Sequence, residues 1–178
     1  MTNIVENKIG NFTNAIRKSL KEENWYAALS LALTLPDICG KLQNPDLGSS
    51  RRYVIWFNDY LKPMYTSKIG ADRIEHVFLS GEDAYALRCA YLHAGETIIH
   101  NQRIRKVLED FIFVAPRKGL TVHRNQLGNS LQLQVDIFCE EICKAIDKWV
   151  KDFKDDEVIK SKAETIVEIR NISNGISI

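Results

Sequence analysis

The sequence predicts a mainly α-helical protein that carries a small antiparallel β-hairpin insert, and three observations predict it. Apolar residues recur at helical spacing in four long segments, near residues 3–22, 25–42, 51–61 and 136–153. A fifth segment, Ser80 to Gly95, carries its own start and stop signals. Between residues 120 and 135 the apolar period drops from helical to two, around a Gly128-Asn129 turn.

Taken in order, residues 3–22 place Ile9, Phe12, Ile16 and Leu20 on one stripe and Lys8, Arg17, Lys18 and Lys21 elsewhere. Asn24 is a candidate cap for the next helix, which is apolar nearly all round from Trp25 and so is expected to be buried. Pro36 removes an amide and crowds the preceding turn, so the helix is expected to kink or stop there, with Asp37–Leu42 as a second short helix. Residues 43–50 are dense in turn formers. Arg51 to Leu61 follows as a helix with Val54, Phe57 and Leu61 inward, stopped by Pro63. A short helix is expected near residues 71–77. Ser80 and Asp83 resemble a capping box, and Gly95 can take the left-handed conformation that closes a helix. Phe111-Ile-Phe-Val114 reads as a strand. Residues 120–124 and 130–135 read as the two arms of the hairpin, with Leu131, Leu133 and Val135 on one face and Gln132 and Gln134 on the other. The last long helix, 136–153, carries Ile137, Phe138, Ile142, Ile146, Trp149 and Val150, and a short helix is expected over 157–169.

A chain of 178 residues is long enough for one sizeable core. A single domain over 1–178 is therefore expected, with a helical core at about 3–100 and 136–153, a β insert at about 110–135 and a C-terminal tail at 154–178. The formal net charge of +1 provides no global field for nucleic acid, so any anion-binding surface must be a local patch. Four cysteines, Cys39, Cys89, Cys139 and Cys143, lie in apolar helical segments, which argues for reduced thiols and a cytoplasmic setting. No apolar run is long enough to span a bilayer, so no membrane partner is expected.

Cys139 and Cys143 are four apart on a helix, but no CxxC pair or suitably spaced histidine joins them, so core packing outweighs metal binding. No metal and no cofactor is expected. Gly-rich phosphate loops, nucleophile elbows and HExxH are absent from the sequence. Trp25, Trp56 and Trp149 lie on apolar stripes and read as core.

Arg88 and His93 are the candidate catalytic residues. Histidine titrates near neutrality and can move the proton of a 2′-hydroxyl or a leaving 5′-oxygen. An arginine fork can hold a phosphate and the charge that develops on it. On a straight helix the two project about 140° apart, so a shared cleft requires two copies of the chain. The competing reading pairs Arg88 with Glu82 or Asp83 and leaves His93 as an ordinary helix-end residue. The same spacing recurs at Arg117–His123 in the strand-like region, so helical context is what singles out Arg88 and His93. Arg51, Arg52, Arg103 and Arg105 are the candidate RNA-binding residues, with Lys106, Arg117 and Lys118 nearby in sequence.

The run Arg88-Cys-Ala-Tyr-Leu-His93 at the end of an apolar helix resembles the Arg-x4–6-His signature of the HEPN superfamily. Many members place Asn, His or Asp after the arginine, where this chain has Cys89. The resemblance covers about residues 1–100 and the helix from 136; the hairpin is not part of it. It implies a HEPN-like helical bundle, a homodimer with a composite cleft, and metal-independent endoribonuclease activity, in a toxin–antitoxin or anti-phage setting. RNA is then the expected substrate, and an antitoxin or defence-complex protein an expected partner. The rival expectation is a non-catalytic HEPN-like module that binds a protein, nucleic acid or nucleotide. A third is an adaptor whose hairpin edge adds a strand to a partner.

Overall fold

The computed structural model describes residues 3–169, so residues 170–178 of the expected tail lie outside what is described below. Helix α1, Ile4–Lys21, starts where the Asn3 side chain accepts the Val5 and Glu6 amides. It buries Val5, Ile9, Thr13 and Ile16 on one stripe. Helix α2, Trp25–Gln43, is capped by Asn24 and buries nine of its residues, as a helix apolar all round should. It packs against α1, the later α3 (Ser49–Tyr60) and α5 (Val135–Phe153).

Pro36 does not end α2: Asp37 to Leu42 continues the same helix. Burial of Leu33, Leu35, Cys39 and Leu42 on several neighbours outweighs the missing amide bond. Gly40 lets α3 approach closely, since a Cβ there would stand 3.0 Å from the Arg52 carbonyl oxygen. Gly81 does the same between α3 and α4 (Gly81–Ala94), where a Cβ would stand 2.8 Å from the Val54 oxygen.

A single 3₁₀ turn, Lys62–Tyr65, follows α3, with Pro63 in its first positions. The short helix expected near 71–77 is instead a hairpin, β1 (Thr66–Ile69) against β2 (Ile74–Val77), with Thr66 opposite Val77 and Ile69 opposite Ile74. Gly70 (φ 72°) and Arg73 (φ 51°) take the left-handed conformations its turn requires, and a helix would have no place for them.

Helix α4 starts at Ser80, whose hydroxyl accepts the Asp83 amide at 3.1 Å, and stops at Gly95, with φ 71°. A long connection leads to β3 (Asp110–Val114). The second sheet has the order β3-β5-β4, with β4 (Asn125–Leu127) antiparallel and β3 parallel to the central β5 (Ser130–Gln134). The antiparallel hairpin turns at Gly128-Asn129 as expected, but its first arm is residues 125–127. Residues 120–124 form no strand beyond a bridge between Arg117 and Leu120. Leu131 and Leu133 face the core, yet Gln134 is buried as well, because its side chain bonds the Val122 amide and Asp136.

Chain direction changes from β5 to α5 with no residue between them. Helix α5 buries Val135, Phe138, Cys139, Ile142, Cys143, Ile146, Trp149 and Val150 against α1, α2 and α3. The final helix, α6, spans Glu157–Ala163 and is shorter than the expected 157–169. Mainly helical architecture with a small antiparallel hairpin is thus present, together with a separate two-stranded sheet. Among the described residues no helix is long and apolar enough to cross a membrane.

Candidate functional site

Arg88 lies on the face of α4 that turns toward α2 and α3, and its partner is neither Glu82 nor Asp83. Its Nη2 donates to Asp37 Oδ2 of α2 at 3.4 Å, and its guanidinium lies 5.9 Å from the centre of the Tyr85 ring. Asp37 is held more firmly by α3: Arg52 Nε donates to Oδ1 at 2.7 Å, and Ser49 Oγ lies 3.1 Å from both oxygens. Arg52 Nη1 also donates to the Leu47 carbonyl. The side chains of Asp37, Arg52 and Arg88 are 15%, 16% and 19% exposed, so the cluster is largely withdrawn from water and yet reached by it.

Three helices therefore meet at one carboxylate, and the two glycine contacts described above bring them there. The charges do not balance, since two guanidinium groups share one carboxylate. Beside them Tyr53 is fully buried, and its hydroxyl and Arg88 Nε have no hydrogen-bond partner. Burial pushes the Tyr53 hydroxyl well above its ordinary range, with the Arg88 charge opposing and the Asp37 charge adding.

His93 stands on the last turn of α4 and is exposed. Among the described residues no hydrogen bond or ion pair joins it to Arg88 or to Asp37. Arg51 is exposed on the first turn of α3, whereas Arg52 is committed to Asp37. Arg103 is exposed in the 95–109 connection, and Arg105 braces that connection through the His100 and Leu108 carbonyls. The four arginines expected to contact RNA thus fall into two groups, with Arg51 exposed in one and Arg103 in the other.

Sequence reasoning missed Asp37. A signal was there, because an acidic residue in a helix apolar nearly all round must find a cation or leave a charge stranded. It also missed a second buried polar cluster. Tyr65 donates to Glu141 Oε2 at 2.5 Å, His123 Nε2 lies 3.1 Å from the same oxygen, and Arg124 donates to Oε1 at 3.2 Å and to the Met64 carbonyl. Burial pushes the Glu141 carboxyl up, but the bonds from His123 and Tyr65 and the nearby Arg124 charge outweigh it, leaving the group below its ordinary value. His123, the histidine of the repeated spacing, is thereby tied to α5, with Nδ1 buried and unpartnered.

Asp83 is the third committed carboxylate. It is 2% exposed, receives the Ser80 hydroxyl at 2.7 Å on Oδ2, and receives the amides of Lys106, Val107 and Leu108 on Oδ1. It fastens the 95–109 connection to the start of α4.

Cys39, Cys139 and Cys143 are buried free thiols and Cys89 is half-buried. Among the described residues no three His, Cys, Asp or Glu side chains are grouped as a metal ion would require. Trp56 and Trp149 are core residues, and Trp25 packs against the core. The chain matches no protein-family model, no curated protein and no solved structure.

Proposed function

We propose that the chain is a metal-independent endoribonuclease resembling the HEPN superfamily, acting as a homodimer in a toxin–antitoxin or anti-phage system. One observation carries this reading: α4 presents two unlike groups suited to one reaction. Arg88 is withdrawn, yet uses one long bond out of five N–H donors. His93, five residues on, is exposed at the helix end.

In the proposed reaction a 2′-hydroxyl attacks the adjacent phosphorus. The 2′-oxygen–phosphorus bond forms, the bond from phosphorus to the 5′-oxygen breaks, and a cyclic phosphate and a 5′-hydroxyl result. His93 takes the 2′-hydroxyl proton or supplies one to the leaving 5′-oxygen. Arg88 holds the phosphate oxygens as negative charge gathers on them. The two side chains diverge on one helix, so the Arg88 and His93 that act together come from two copies across a two-fold axis.

The test is RNA cleavage by the purified protein in excess EDTA. Arg88→Ala and His93→Ala should each lower the rate by about 10²-fold or more, the usual contribution of a positioned acid–base group or oxyanion donor. Unchanged cleavage in both variants ends the proposal, as does a wild-type protein that leaves RNA intact.

A second reading is a non-catalytic HEPN-like helical module that binds a protein, a nucleic acid or a nucleotide. The ion pair of Arg88 with Asp37 favours it, because a paired arginine also serves to join α2 and α4. Sedimentation separates the two: a monomer at assay concentrations favours the module, and a dimer favours the composite site.

A further inference from the structure

Arg52 and Arg88 compete for Asp37 on unequal terms, and the inequality has a use. Arg52 makes the short bond, 2.7 Å from Nε, and is anchored a second time at the Leu47 carbonyl. Arg88 makes one bond at 3.4 Å, and its Nε is buried with no partner. Asp37 carries one negative charge, which the nearer Arg52 already offsets. The charge of Arg88 is then the unbalanced one, in a setting 19% exposed where an anion interacts more strongly than it would in bulk water. Asp37 and Arg52 also line an open cleft together with Ile38, Lys41, Leu42, Thr165 and Ile166.

We propose that Arg52 is a positioning residue: by holding Asp37, it leaves Arg88 free to bind an RNA phosphodiester. This rests on the RNA-directed reading above and adds Asp37 and Arg52 to its site. Without Arg52, Arg88 is the cation left paired with Asp37 among the described residues, and Asp37 withdraws it from the ligand. The arrangement therefore makes a non-additive prediction that a simple pair of phosphate contacts does not make.

The experiment measures anisotropy of a labelled single-stranded 2′-O-methyl oligonucleotide, whose capped 2′-oxygen prevents cleavage and separates binding from catalysis. Arg52→Gln and Arg88→Gln should each weaken binding about tenfold or more, as expected for loss of a charge-assisted phosphate contact. The Arg52→Gln/Arg88→Gln double variant should bind no more weakly than Arg52→Gln alone. Adding Asp37→Asn to Arg52→Gln should restore binding, because Arg88 is released again. Each weakened variant should also lower the slope of log affinity against log salt by about 0.7, which a merely structural lesion would not do. Thermal unfolding checks that each variant folds. Should the Asp37→Asn/Arg52→Gln protein not fold, Arg52→Lys replaces it, and binding close to wild type is expected because the counter-charge is kept.

Additive losses in the double variant overturn the proposal. So does wild-type binding in Arg52→Gln, failure of rescue in a folded protein, or absence of oligonucleotide binding by the wild type. If this pattern holds while EDTA-resistant cleavage is absent, the phosphate site stands and the ribonuclease reading falls.

Discussion

Replacing Asp83 tests whether one carboxylate holds the 95–109 connection onto α4. The residue is 2% exposed, and its Oδ1 receives the Lys106, Val107 and Leu108 amides at 2.7, 3.1 and 3.3 Å. Asp83→Ala removes all three acceptor contacts, but they do not count equally. Lys106 and Val107 are exposed residues whose amides water can serve, whereas Leu108 is 1% exposed and its amide is left stranded. One stranded bond to a charged group costs about 1.5–3 kcal/mol. Losing the carboxylate that answers the Ser80 cap adds about 1 kcal/mol. The expected loss is therefore about 2.5–4 kcal/mol, a fall in Tm of roughly 5–16 °C for a chain of this size. Asp83→Asn keeps a neutral acceptor and should lose about half as much, since neutral hydrogen bonds are about half as strong as charged ones. Urea unfolding gives the energies, and amide hydrogen exchange locates them, with protection falling first at Leu108. A loss below about 1 kcal/mol for Asp83→Ala, or unchanged exchange at Leu108, would refute the reasoning.

The remaining predictions use features that can be perturbed one at a time. Gly81→Ala should destabilise by about 1–3 kcal/mol, because its Cβ would sit 2.8 Å from the Val54 oxygen and 2.9 Å from Asn58 Oδ1, both on α3. Gly10→Ala in α1, where nothing lies within 4 Å, should instead stabilise by about 0.5–1 kcal/mol; paired urea titrations would show the opposite signs, and equal signs would refute the contrast. Glu141 is held below its ordinary value of 4.5, so its contribution is present above that pH and disappears as pH falls through the lower folded value. Stability profiles of Glu141→Gln should accordingly lose part of the acid limb, and an unaltered limb would count against the assignment. In the folded protein Cys89 should react with a thiol reagent well before the other three. Burial pushes the Cys143 thiol up to about 12 and also raises Cys39 and Cys139, while Cys89 is half-buried. Mass mapping after brief labelling checks it, and early modification of Cys143 would contradict it.

Much of the helical frame was legible because its signals are local. Asn24 and Ser80 cap helices through their own side chains, Gly95 closes α4, and the stripes of α1 and α5 bury residues their spacing indicates. Errors came where distant packing decides. Pro36 stays inside α2 because the helix is buried on several sides, a fact that depends on α1, α3 and α5 rather than on the neighbouring residues. The helix expected near 71–77 gives way to a strand over Ile74–Val77, because four residues have no length over which period two can be distinguished from a helical turn. The parallel pairing of β3 with β5 has no local signature, since it joins residues twenty apart across an intervening strand. The candidate site divides in the same way. Arg88 and His93 were visible as a spacing on a capped helix, but Asp37 and Arg52 lie 51 and 36 positions before Arg88. Only the crossings at Gly40 and Gly81 bring them to it.

Placing β5 in the middle of its sheet also sets an order of assembly. Both edge strands, β3 and β4, precede the strand they pair with, so neither has its ladder partner until residues 130–134 have emerged from the ribosome. Helix α5 continues from that strand without a break, and it is α5 that covers the apolar stripes of α1 and α2. A nascent chain ending before α5 therefore presents α1 and α2 with part of their cover missing, however well α1 to α4 have formed. Core closure thus waits for residues 135–153, and the helix bearing Arg88 and His93 sits in an unfinished frame until α5 has been made.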